Sequence, residues 1–291
     1  MRGDAGPGTV AVTRPAATDP AFGPGRMTAH GRFWAELWIS LRNPEFWALS
    51  SWLDIITRAR RSRLGLVWLV APSVVYVFGL GAFFAAMRGQ PLQEFAIHVA
   101  LGAMVFRTLM SAIIASANAF HGNSAFILDG HVRLTDYLLQ SLARAFFDMC
   151  MYLPVVVVAL AIAPGFSWVG LLLAPLALLL IYANALWMAA VLSLAGARFA
   201  DVAQVLANLS IFVFLFTPII WTVAEAPPDS IRGQVMRLNP FFHFVEVFRA
   251  PVLGQAVELQ SLLWVAGLSV AGLLVAGVVY RRFARYVPLW V

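Results

Sequence analysis

All 20 basic residues of this 291-residue chain are arginine. A phosphate-cradling loop of the Walker type ends in lysine, so the chain cannot bind ATP that way. Its five histidines, at 30, 98, 121, 131 and 243, are scattered, and neither His-Glu-x-x-His nor Gly-x-Ser-x-Gly occurs. The single cysteine, Cys150, excludes an internal disulfide and a cysteine-based zinc site. No catalytic set and no metal-ligand set emerges, and the chain reads as a protein that is not an enzyme. Arginine remains as the residue with chemistry to offer, because its planar fork can donate two hydrogen bonds to phosphate oxygens. Arg58, Arg60, Arg61 and Arg63 form a tight cluster, and Arg107 stands alone in an apolar stretch.

The elements that carry these residues are membrane helices. Between Asp148 and Arg198 lie 49 consecutive residues without Asp, Glu, Lys, Arg or His. At ~1.5 Å per helical residue this is about twice what a bilayer core of ~30 Å requires. Pro164-Gly165-Phe166-Ser167 near its middle marks a turn, so it holds two spans. The same test finds Leu64 to Met87, Phe95 to Leu128 interrupted by Arg107, Val202 to Ala224 and Leu259 to Tyr280. Six spans result, in keeping with a hydrophobic content of 61% and a mean hydropathy of +0.82. The expected fold is an all-α integral membrane protein.

Basic residues accumulate on cytoplasmic loops. Placing Arg58, Arg60, Arg61 and Arg63 inside also puts Arg133, Arg144, Arg198, Arg281, Arg282 and Arg285 inside, leaving Arg88, Arg232, Arg237 and Arg249 outside. Ten against four favours both termini in the cytoplasm. The pI near 10.2 is then a topology signal and not one of nucleic-acid binding.

Residues 1–26, rich in Gly, Pro, Ala and Thr, form a polar tail expected to be disordered. Residues 27–63 hold an amphipathic interface region: Phe33, Trp34, Leu37, Trp38 and Leu41, then a break at Asn43-Pro44, then Phe46, Leu49, Trp52, Leu53 and Ile56. Asn43 suits an N-cap and Pro44 the first helical position. Residues 64–291 are the six-span domain. Its connector His121 to Arg144 mixes Asn123, Asp129, Arg133 and Asp136 with Phe126, Ile127 and Leu128, the pattern of a short docking helix. Between spans five and six, Pro227-Pro228-Asp229 opens a helix over Ile231 to Leu238. A second follows Asn239-Pro240 and ends at Pro251, apolar yet too short to span, hence re-entrant or lying in the outer interface. His243 reads as a hydrogen-bonding residue at that helix start.

A bare Arg107 near the middle of span two costs about 2.5–3.5 kcal/mol on insertion, so it is expected to face protein or a wet path instead of lipid. Asp148 is a candidate partner, though it lies nearer the cytoplasmic end.

Several stretches carry a resemblance: Arg-Arg-Ser-Arg-Leu-Gly at 60–65, Gly-Ala-Arg-Phe-Ala-Asp-Val at 196–202, Phe-Thr-Pro-Ile-Ile-Trp at 216–221, and Leu-Asn-Pro-Phe-Phe-His-Phe-Val-Glu-Val-Phe-Arg-Ala-Pro-Val-Leu-Gly at 238–254. In order and spacing, from about Trp52 to the C-terminus, the chain resembles the membrane subunit of type-2 ABC exporters of polysaccharides, most of all the O-antigen and galactan export permeases. The resemblance implies a homodimer in the bacterial inner membrane that exports a polyprenyl-diphosphate-linked polysaccharide. Two ATPase subunits would bind ATP-Mg, this chain itself needing no cofactor. It implies a coupling helix at Asn123, Phe126, Ile127, Leu128 and Arg133, and an external gate with Asn239, Pro240, His243, Glu246 and Arg249. It also implies an aromatic channel, with Phe78, Phe83, Phe84, Phe212, Phe214, Phe216 and Trp221 as candidates. The Arg58, Arg60, Arg61 and Arg63 cluster would meet the lipid diphosphate at the entrance. Arg107 has no counterpart in that family and is assigned as a possible channel charge. The alternatives are an exporter of a drug or small lipid, or an integral-membrane transferase acting on polyprenyl lipids.

Overall fold

The computed structural model describes residues 33–60, 67–130 and 132–291, and among these the regular structure is entirely helical. Among the described residues five helices are long and apolar enough to cross a membrane: Val70–Arg88, Leu92–Ala117, Leu134–Ile162, Trp168–Arg198 and Leu259–Trp290. The first of them is composite. After α1 (Phe33–Arg42) and α2 (Glu45–Arg60), α3 (Val67–Val74) contains Pro72 and passes through a π-helical stretch, Val75–Leu80, into α4 (Gly81–Arg88). Then follow α5 (Leu92–Ala117), the short α6 (Ser124–Leu128), α7 (Leu134–Ile162) and α8 (Trp168–Arg198). The expected Pro164-Gly165 turn separates the last two, and Ser167 caps α8 by accepting from the Gly170 N–H.

The fifth apolar run behaves differently from its charge pattern. It is free of charge to Ala224, but α9 (Val202–Phe216) stops after 15 residues, about 22 Å, short of a ~30 Å core. Pro218 is the cause. The residue before a proline is excluded from helical backbone, and Thr217 is extended at φ −96°, ψ 130°. The chain continues through α10 (Ile231–Leu238), α11 (Pro240–Val252), α12 (Leu259–Phe283) and α13 (Val287–Trp290).

The connector after span two is shorter than its charges suggest, because α7 begins at Leu134. Asp136 and Arg144 are accommodated inside the helix by partners. Asp136 accepts from the Arg133 N–H in a capping box, and Arg144 pairs with Asp54 of α2.

Helix α5 is the hub. Of its apolar window 78% is buried, against 22–33% for the four other spanning helices, and α4, α7, α8, α9 and α11 pack around it. Glycines set the closest approaches: a Cβ on Gly196 of α8 would overlap the Ala117 carbonyl of α5, and one on Gly272 of α12 would enter the Trp187 ring of α8.

Helices α1 and α2 bury Phe33, Leu37 and Ile55 together with Glu36, Ser40 and Ser51, while Trp34, Trp38, Leu49, Trp52 and Leu53 are exposed, as suits helices lying in a membrane interface. They are tied to α7 by a Ser40–Thr135 hydroxyl pair (2.7 Å) and by Ser51 donating to the Gln140 carbonyl (3.2 Å). The break at Asn43-Pro44 occurs as expected, but Asn43 does not cap α2. Its side-chain amide donates to the Ile39 carbonyl at 2.9 Å, so it closes α1 instead.

Candidate functional site

The site grows out of the interrupted fifth apolar run. Where α9 stops, Thr217 to Trp221 is non-helical backbone in an apolar region, and such backbone must find partners inside the protein. They come from α11. Asn239 caps it as expected, accepting from the Phe241 N–H at 3.0 Å, with Pro240 at its first turn. The helix then runs antiparallel along α5: Phe241 packs on Phe106, Val245 and Arg249 lie against Gly102, and Arg249 reaches His98. Phe106 is 14 residues into α5, about 21 Å from its start, so α11 is inserted among the spans, not laid over them. At its far end the Val252 carbonyl accepts from the Ser167 N–H in the turn before α8 (2.8 Å).

A buried polar network results. Arg249, 2% exposed, donates to the Pro218 carbonyl at 2.5 Å and to Glu246 at 3.2 Å, and lies 3.2 Å from His98 Nε2. His98 Nε2 is also 3.0 Å from the Trp221 carbonyl. One ring nitrogen of a neutral histidine either donates or accepts, and a carbonyl only accepts. Nε2–H therefore belongs to Trp221, and the guanidinium turns its hydrogens to Pro218 and Glu246. Asn239 adds a bond to the Thr217 hydroxyl (2.8 Å), which donates to the Val213 carbonyl (2.7 Å). The broken end of α9 is thus clamped from α5 and α11 at three points.

Of the expected gate residues, Asn239, His243, Glu246 and Arg249 are held by hydrogen bonds inside the chain. His243 is fully buried between Ser261 (2.9 Å) and the Arg237 carbonyl (2.9 Å), and it stacks on Trp264. His98 was invisible to motif reasoning, since it sits 151 residues from Arg249. The Glu246–Arg249 pair left a signal, an i,i+3 ion pair in an otherwise apolar helix.

The seven aromatic candidates divide. Phe214 packs between Tyr76 and Phe106, with Phe78 and Phe84 also packed on the core. Trp221 is 5% exposed, donates its indole N–H to the Leu215 carbonyl and lies under Arg232 at 4.2 Å. These four pack within the isolated chain. Phe83, Phe212 and Phe216 are exposed. On α9 the last two continue a stripe begun by Gln204 and Asn208, four residues apart and both exposed, with an amide bond of 3.4 Å between them.

In the expected coupling segment Phe126 and Leu128 are exposed while Ile127 is buried, and Asn123 donates to the Ala119 carbonyl (2.7 Å). Arg133 flanks α7 and meets Asp136 at 3.6 Å. Of the entrance arginines, Arg60 is exposed at the end of α2; Arg61, Arg63 and the side chain of Arg58 lie outside the described residues. Arg107 is exposed on α5 in a groove that Asp148 shares, so Asp148 is not too shallow to accompany it.

The four arginines assigned outside are each locally compensated. Arg237 makes a two-pronged pair with Glu258 (2.6 and 3.2 Å), Arg88 meets Glu225 (3.3 Å), Arg249 meets Glu246, and Arg232 lies over Trp221. Partial burial pushes the Glu225 carboxyl up, but bonds from the Thr222 N–H and hydroxyl and the Arg88 charge outweigh it and hold the group below its ordinary range.

Residues 45–253, well over half of the chain, match the model of the ABC-2 type transporter family. The chain belongs to that family and is a multi-pass membrane protein, the transmembrane component of an ABC-type exporter. No curated protein matches it.

Proposed function

We propose that the chain is one half of a homodimeric permease that exports a polyprenyl-diphosphate-linked polysaccharide, driven by two ATPase subunits. The observation that carries the reading is the exposed stripe of α9: Gln204, Asn208, Phe212 and Phe216 recur every fourth residue along one face. Amides in a lipid-facing position are costly, so this face suits a wet wall. Sugars present hydroxyl edges and C–H faces, which amides and flat aromatic rings match without a few strong bonds that would trap a moving chain. Beside the stripe Val205, Leu209, Ile211 and Leu215 are exposed, an apolar flank that a second copy of the chain covers in this reading.

In this reading α9 and the clamped Thr217–Trp221 segment make the sixth crossing, both termini are cytoplasmic, and the α10–α11 unit closes the outer end. The ATPase docks on α6, where exposed Phe126 and Leu128 are flanked by Asp129 and Arg133. The order of the quoted motifs supports polysaccharide over a drug or small lipid as cargo.

The test uses Asn208→Cys and Leu209→Cys in a Cys150→Ser background. A water-soluble maleimide should label Asn208→Cys in membranes, and a short bis-maleimide should join two copies through it, while Leu209→Cys labels weakly. Equal resistance at both positions would show that α9 faces lipid and would remove the wet wall.

A further inference from the structure

A cavity of about 270 Å³ lies between α3, α5 and α7, away from the α9 stripe. Its polar wall is Ser73, Arg107, Thr108, Ser111, Asp148 and Tyr152, and methionines supply much of the rest. Arg107 is the one exposed residue of α5 between Phe95 and Ala117. Elsewhere in that stretch the helix is buried or half-buried, and the cation lies on the wall of the groove.

One hydroxyl on its wall lacks a partner. Tyr152 is 4% exposed and its OH makes no hydrogen bond. A buried hydroxyl without a partner is destabilising, and a phenol donates readily. A free donor and a guanidinium call for a ligand rich in acceptor oxygens and negative charge. Asp148 also lines the groove, where it accepts from Ser111 at 3.3 Å.

Depth selects the source of that anion. Arg107 is 15 residues from Leu92 and 10 from Ala117, about 22 and 15 Å from the two ends of α5. Both exceed or match the half-thickness of a ~30 Å core, so the groove sits deeper than the headgroups of either leaflet. Exposed Val74, Val75 and Leu153 on the flanking helices offer a hydrocarbon chain an apolar bed.

We propose that the α3–α5–α7 groove binds the phosphate of an anionic lipid inside the apolar layer, through Arg107 and Tyr152. It is a holding point for a headgroup that has left its leaflet. The inference deepens the export reading, on which it rests only for the lipid being the carrier of cargo.

The test measures retention of radiolabelled polyprenyl monophosphate by the purified full-length chain in a neutral detergent, with neutral polyprenol and inorganic phosphate as comparison probes. Wild type should retain the phosphate lipid and not the alcohol. Arg107→Gln should weaken retention about tenfold to a hundredfold, the scale of a lost charged hydrogen bond, and Tyr152→Phe about two- to tenfold. Tyr152→Phe is nearly isosteric, so it keeps the test valid should Arg107→Gln fail to fold. Inorganic phosphate that binds alone and displaces the lipid, with the same Arg107 dependence, would keep the anion site but overturn the lipid assignment. Equal retention of alcohol and phosphate lipid, or full retention by both variants, would show a greasy or water-filled groove and overturn the site. Retention through Arg107 by a chain that exports no glycan would keep the site and remove only the polysaccharide reading.

Discussion

Arg249→Met removes the cation that holds the broken end of the fifth span. The variant leaves Glu246, 6% exposed, as a buried carboxylate without its partner, and leaves the Pro218 carbonyl without its donor. Removing one member of a buried ion pair costs about 3–5 kcal/mol. An unsatisfied carbonyl alone costs about 1–3 kcal/mol. The Arg249→Met, Glu246→Met double variant carries only the second cost, because the orphaned charge is gone. It should therefore be more stable than the single variant by about 2 kcal/mol, the signature of coupling in a double-mutant cycle. Arg249→Lys keeps the charge but cannot reach Pro218 and Glu246 with separate nitrogens, and should fall between. The assay is denaturant unfolding in mixed micelles of the four proteins. A double variant no more stable than Arg249→Met, or an Arg249→Met protein as stable as wild type, would refute the clamp.

Three further outcomes follow from the packing. Replacing Phe126 and Leu128 together by Asp should abolish copurification of the ATPase while leaving membrane insertion intact; normal copurification would remove α6 as the docking site. Gly196→Ala drives a Cβ into the Ala117 carbonyl and should cost about 1–3 kcal/mol, measured as a lower unfolding midpoint, whereas Gly267→Ala, with open space at its Cβ, should not. Phe214→Ala should destabilise the chain by about 3–5 kcal/mol, because the ring packs edge-on against both Tyr76 and Phe106, while Phe212→Ala with Phe216→Ala should lower glycan export at unchanged thermal stability. The reverse ranking would exchange packing and path residues.

What could be read without coordinates was what local chemistry determines. Charge-free runs marked the long helices, Pro164-Gly165 marked their turn, and Asn239-Pro240 marked a cap and first turn, because each depends on residues adjacent in the chain. The failures lie where a distant partner decides. Arg144 hid the start of α7, because its compensation comes from Asp54, 90 residues away. Hydropathy alone carried span five past Phe216, since a proline in an apolar run does not reveal whether the freed carbonyls will find donors; here His98 and Arg249 supply them. Aromatic content could not separate Phe212 from Phe214, two residues apart on opposite faces, until neighbouring helices covered one of them.

The most direct measurement follows ATP-dependent movement of a long-chain polyprenyl-diphosphate glycan in inside-out vesicles containing the chain and its ATPase, read as protection of the glycan from added glycosidase. The account predicts protection that requires ATP and is lost when Phe126 and Leu128 are Asp. Protection of a small lipid or drug with none of the glycan, in vesicles where ATP hydrolysis proceeds, would contradict it.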